Sequence, residues 1–159
     1  MTQEIEALLA RFVGAQVEFV IIGGICNVLH GVTLVTQDVD VCCRFTVENL
    51  RRVEAAVKDL NPIHRQTANR LPFELTNELA GRLKNLYLRT DLGVVDCLSE
   101  VAGIGGFEAV LRESIPVRLP FGECRMLSLD GLIRSKETLG REQDLMAVRR
   151  LRAIRERNG

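Results

Sequence analysis

No stretch of this chain restricts its fold more than Asp38-Val39-Asp40-Val41. The run is predicted to be a strand, Asp38 to Cys43, and side chains on a strand alternate faces. Asp38 and Asp40 therefore emerge on one side while Val39 and Val41 enter a core. These residues call for a sheet that is covered on one face and bears two adjacent anions on the other. A hard divalent cation such as magnesium, which prefers oxygen ligands, relieves that repulsion. Taken alone, two exposed aspartates at a strand end would give the same letters, so the neighbouring sequence has to decide.

Upstream, Glu18 to Ile22 is a short β-rich run that stops at Gly23-Gly24, and Ile25 to His30 continues as a helix closed by Gly31. Missing β-carbons at the two glycines let a triphosphate approach backbone N–H groups, although a tight strand-to-helix turn explains them as well. Downstream, Asp96 interrupts the apolar run Val94, Val95, Cys97, Leu98. An ionisable group inside a buried strand needs a partner to offset its desolvation, and a metal held by Asp38 and Asp40 would supply one.

Elsewhere the pattern alternates between helical and extended periods. Ile5, Leu8, Leu9, Phe12 and Val13 predict an amphipathic opening helix ending at Gly14. Thr46 is an N-cap for a helix in which Leu50, Val53, Val57 and Leu60 share a face, with Pro62 marking its end. Asn61 to Arg82 has no clean period and is predicted to be an irregular, partly helical connection near a site. Leu86 to Thr90 and Val94 to Leu98 flank Asp91-Leu92-Gly93 as a hairpin. A short helix at Phe107 to Arg112, strands at Ile115 to Leu119 and Cys124 to Leu127, and helices at Leu129 to Leu139 and Glu142 to Arg155 complete the chain.

At 159 residues the sequence supports one core, so a single domain spanning 1–159 is expected. Hydrophobic residues at 47% exclude a disordered tail. Lys plus Arg (21) equals Asp plus Glu (21), so no overall positive field gathers nucleic acid or anionic membrane. There is no membrane-length apolar run and no secretory pattern at the start, and five cysteines form no disulfide or zinc spacing; these features predict a cytoplasmic protein with reduced thiols.

The run from Phe19 to Val41, with its apolar strand, Gly23-Gly24, His30-Gly31, Thr36, Asp38 and Asp40, resembles the signature of DNA polymerase beta-like nucleotidyltransferases. Their third carboxylate lies on a later strand, matching Asp96. Leu132-Ile133, Lys136, Gly140-Arg141 and Asp144 are similar to the C-terminal run of bacterial AbiEii-type toxins and related small nucleotidyltransferases, with Gln143 standing where relatives often have lysine. The resemblance implies an α/β (α+β) nucleotidyltransferase fold, a mixed β-sheet flanked by helices and followed by C-terminal helices. It implies transfer of a nucleoside monophosphate from a triphosphate such as ATP with loss of pyrophosphate, Asp38, Asp40 and Asp96 being catalytic and metal-holding. Two magnesium ions, or manganese in their place, would be the cofactors. Gly23, Gly24, Thr36 and Lys136 would bind nucleotide. The acceptor is RNA, protein or a small hydroxylated molecule, a toxin-antitoxin role is consistent with the relatives, and a partner protein would complete the acceptor pocket of so short a chain. The alternatives are an inactive nucleotide- or partner-binding module of the same fold and a thiol or zinc regulatory protein.

Other features have plainer explanations. Gly103-Ile104-Gly105-Gly106 is read as a loop because Glu108 replaces the third glycine of a dinucleotide motif. Arg149, Arg150, Arg152, Arg155 and Arg157 are consistent with RNA phosphates or with a solvated helix end. His30 is read as structural.

Overall fold

Helix α1 (Gln3–Gly14) is capped by Thr2, whose hydroxyl accepts from the Ile5 N–H at 3.2 Å, and buries Ile5, Leu8, Leu9 and Phe12. It leads through a turn to β1 (Phe19–Ile22), α2 (Gly23–Leu29) and β2 (Asp38–Cys43). Helix α3 (Val47–Val57), capped by the Thr46 hydroxyl, runs into a 3-10 turn at Lys58–Leu60. Then come β3 (Ile63–His64), α4 (Asn77–Arg82), β4 (Asn85–Thr90) and β5 (Gly93–Leu98). After β6 (Glu100–Val101), β7 (Gly105–Gly106) and α5 (Phe107–Arg112), the hairpin of β8 (Ser114–Leu119) and β9 (Gly122–Leu127) precedes α6 (Leu129–Leu139) and α7 (Glu142–Asn158). This computed structural model describes residues 1–159.

Seven strands form one sheet in the spatial order β3-β4-β5-β2-β1-β9-β8. β2 pairs parallel to β5 and antiparallel to β1, while β1 pairs parallel to β9, so the sheet is mixed, as expected. Phe12 of α1 meets Phe19 edge to face at 5.5 Å, and Phe19 shares its sheet face with Val41 and Val39 through the β1–β2 register. That face is covered along its length, Val39, Val41, Val95 and Cys97 all being buried, whereas the opposite face is buried at Val20 and Cys42 and opens at Asp38 and Asp40. A continuous cluster of 40 buried apolar residues extends from Ile5 to Ile154, so the first and last helices share the core of the sheet.

Where structure and sequence pattern differ, local chemistry explains it. α2 begins at Gly23, two residues earlier than expected, because Gly23 with φ +69 makes the strand-to-helix corner itself. The helix after Thr46 stops at Val57, and the chain turns at Asn61 in the left-handed region before Pro62. The connection 61–82 holds β3 and the six-residue α4, elements too short to show a period. Gly105–Gly106 is not simply loop, since it pairs with Glu100–Val101 as a two-stranded ribbon. α7 continues three residues past Arg155.

Asn49 joins three of these elements. Its side-chain oxygen accepts from the Glu18 N–H at 2.8 Å, and its amide donates to the Glu18 carbonyl at 3.1 Å and the Arg44 carbonyl at 2.8 Å. The side chain is buried, so α3 holds the entry of β1 against the exit of β2 without solvent competition. Asn49→Ala leaves those backbone groups unpaired and is expected to lower stability by about 2–3 kcal/mol. A denaturant titration checks this, and a loss within error of zero would remove Asn49 from the framework.

Candidate active site

A single row of residues crosses four strands, ends just past a fifth, and defines the site. Cα pairing sets Ile22 opposite Asp40, Asp40 opposite Asp96, and Asp96 opposite Tyr87. The row ends at Arg65, just beyond β3, whose N–H donates to the Tyr87 carbonyl at 3.1 Å. Directly paired residues share a face, so Asp40, Asp96 and Tyr87 project together. Asp38 is exposed on the same face, two residues before Asp40 and opposite Val94.

Three of the four residues expected to bind nucleotide are placed around Asp40. A cleft of about 1080 Å³ is lined by Gly23, Gly24, Asp40 and Lys136, with Tyr87 and Arg141 on its wall. A β-carbon at Gly23 would lie 2.6 Å from Asp40 Oδ2, and one at Gly24 would lie 2.8 Å from Thr36 Oγ1. Both glycines are thus required by neighbouring side chains before any ligand is considered. Thr36 is brought against Gly24 at the α2 turn and is not part of the cleft lining. Lys136 projects from α6, which starts at its Ser128 N-cap and ends at Gly140 in the left-handed region.

Asp96 is 8% exposed and does not stand free. The Arg65 Nε donates to Asp96 Oδ1 at 3.0 Å, while the terminal nitrogen of the same guanidinium donates to Oδ2. The guanidinium also lies over the Tyr87 ring, 5.3 Å from its centre. Such a two-pronged pair is rigid. Asp38 and Asp40 offer the hard oxygens that suit a divalent cation, but no three acidic, histidine or cysteine side chains gather into a formed metal cage.

A second charged group closes the far side of the cleft. Asp144, at the start of α7, is 2% exposed and accepts from Arg141 Nε at 2.6 Å; Lys136 Nζ lies 3.8 Å away. Arg141 holds the Asp144 carboxyl below the usual carboxylate range. Two arginines of the basic helix are already engaged, Arg152 with Glu137 and Arg155 with Asp130, so they brace α7 on α6. His30 Nε2 lies 2.8 Å from the Leu127 carbonyl, tying α2 to β9. All five cysteines are buried free thiols, and burial pushes Cys26 and Cys42 up to about 12.

Periodicity does not reveal Arg65, Tyr87 or Arg141 as site residues. Arg65 lies in a segment without a pattern, and its place depends on the register of β3, β4 and β5. Asp144 is recognisable only as part of a C-terminal motif.

Burial, followed by the charges of Asp96 and Asp38, pushes the Asp40 carboxyl up to about 6 against the pull of Lys136 and Arg65. An unfolded aspartate titrates near 3.9, so between about pH 4 and 6 the native state holds more protons than the unfolded chain. The resulting penalty is absent below that window and grows as pH rises through it. Asp40→Asn removes the penalty. Without added metal it is expected to melt above the wild type at about pH 7.5, with the gap closing toward about pH 4. A gap that does not change with pH would show that Asp40 is not strained by its neighbours.

No protein-family model and no curated protein sequence matches the chain. Solved structures do. A Thermotoga maritima protein classed provisionally as a nucleotidyltransferase superposes with a TM-score of 0.58 at 16% identity, over 91% of this chain and 88% of that one. ANT(2")-Ia, solved in complex with adenylyl-2"-tobramycin, superposes with a TM-score of 0.52 at 16% identity over 100% of both chains. With its seven-stranded mixed sheet flanked by helices, the chain has the nucleotidyltransferase fold.

Proposed function

We propose that the chain is a magnesium-dependent nucleotidyltransferase that moves a nucleoside monophosphate from a nucleoside triphosphate to a hydroxyl acceptor. The observation that supports this best is the position of Asp40. It lies between Asp38 on its own strand and Asp96 on the adjoining parallel strand, at the edge of a cleft shared with Gly23, Gly24 and Lys136. Asp96 is paired with Arg65, but Asp38 and Asp40 have no salt-bridge partner, and burial followed by the charges of Asp96 and Asp38 raises the Asp40 carboxyl despite Lys136 and Arg65. A hard cation fits Asp38 and Asp40 for that reason.

Magnesium, as two ions or with manganese in its place, would neutralise the triphosphate and acidify the acceptor hydroxyl. The chain's own residues do the positioning. Lys136 and Arg141 present cations toward the leaving phosphates, and Asp144 holds both of them in place. Asp96 lies next to Asp40, where it would orient the acceptor hydroxyl. The neighbour ANT(2")-Ia, with its adenylylated tobramycin, is consistent with a small hydroxylated acceptor; RNA and protein acceptors, as in AbiEii-type toxins, are the other classes. No helix is long and apolar enough to cross a membrane.

The engagement of Asp96 by Arg65 favours one rival, a nucleotide-binding module without turnover. Incubation with each labelled nucleoside triphosphate, magnesium and cell extract separates the two, since only the enzyme releases pyrophosphate and labels an acceptor. Asp38→Asn or Asp40→Asn should reduce transfer below detection while the variants remain folded; transfer at the wild-type rate in either would end the assignment. Lys136→Met should raise KM for the triphosphate about tenfold or more, the equivalent of one charged hydrogen bond. An unchanged KM would leave Lys136 as only the partner of Asp144.

A further inference from the structure

We propose that Arg65 is a tethered cation that competes with metal for Asp96, withholding the third carboxylate from a divalent ion for as long as the guanidinium is seated. The inference rests on Asp38 and Asp40 being a metal site. Three features of Arg65 carry it. Both Asp96 oxygens are taken by the one guanidinium. The arginine is pinned at its root by its N–H bond to Tyr87 and along its plane by the Tyr87 ring. Its charge is also felt at Asp38 and Asp40, although the guanidinium pairs with Asp96 alone.

A magnesium or calcium ligand oxygen lies about 2.0–2.6 Å from the ion. An ion bound to Asp96 at that distance would sit against the guanidinium, two cations sharing one carboxylate in a largely buried place. One of them has to leave. Arg65 is able to, because its side chain is 26% exposed and it follows a strand of only two residues. Arg65 is thus a positioning residue. Seated, it aims and neutralises Asp96; released, it frees the Asp96 oxygens for an ion held by Asp38 and Asp40.

The composition provides a direct probe. Tyr87 is the chain's single tyrosine, there is no tryptophan, and Tyr87 is the cross-strand neighbour of Asp96. Terbium, a hard trivalent ion that takes carboxylate oxygens, should therefore emit by energy transfer from Tyr87 when it binds in this row. Terbium titrations of the intact chain would be followed through that emission, with magnesium as competitor and a melting curve for each variant. Arg65→Gln is expected to bind terbium about tenfold tighter or more, the scale of one charged hydrogen-bonded pair removed from competition. In the double variant Arg65→Gln/Asp96→Asn, affinity should return to near the wild-type value. Arg65→Lys, which keeps the charge without the fork and serves if the glutamine variant does not fold, should fall between.

Equal affinity in wild type, Arg65→Gln and Arg65→Lys would overturn the proposal. So would tightening that survives in the double variant, because that is the response to lost positive charge and not to a freed Asp96. If instead terbium emission is absent from every variant, or indifferent to magnesium and to Asp38→Asn, then the metal site at Asp38 and Asp40 fails and the competition falls with it.

Discussion

Parallel pairing of β2 with β5 is the interaction on which the site depends. It sets Asp40 beside Asp96, and the antiparallel β4 then adds Tyr87 to the same row. A one-residue slip of β2 would turn Asp38 and Asp40 into the core and Val39 and Val41 into the cleft. The buried face prevents this: Val39 and Val41 are almost fully enclosed, and α1 packs Phe12 against that side through Phe19. Asn49 adds a polar lock where β1 begins and β2 ends. The hydrophobic core therefore holds the carboxylates in register from behind, at a place where their mutual repulsion would otherwise separate them.

The chain has no net charge, yet its charges are sorted. Asp40, with Asp38 and Asp96 as its neighbours in the sheet, lines the cleft together with Lys136 and Arg141, which are organised by the buried Asp144. Many other arginines are engaged on the surface, with Arg11 on Asp59 and Arg44 between Glu18 and Glu108. Exposed pairs of this kind contribute little to stability. Pairs whose carboxylate is buried, Arg65 with Asp96 and Arg141 with Asp144, set geometry instead, since loss of the arginine leaves a buried acid without its nearest counter-ion.

Residues whose role depends on local pattern were legible in the sequence. Alternation along Asp38 to Val41 places both carboxylates on one face, an acid in an apolar run marks Asp96, and Thr46 caps the helix it precedes. Residues whose role depends on register were not. Arg65 is 31 positions from Asp96 and reaches it only because β3, β4 and β5 align. Gly24 shows the same limit from another side: its missing β-carbon suggests room for a ligand, while the fold uses that room for Thr36. Sequence pattern reports which face a side chain takes; it does not report what the opposite strand has already placed there.

The two ends of the sheet have a consequence of their own. A seven-stranded sheet offers two margins at which another chain could add a strand and start a fibre. One margin here is β3, only two residues long. The other is β8, which carries Pro116, a residue without an N–H, and the charged Arg118. Neither margin gives an incoming strand an uninterrupted ladder, so the sheet that aligns the acids is also protected against growing into an aggregate.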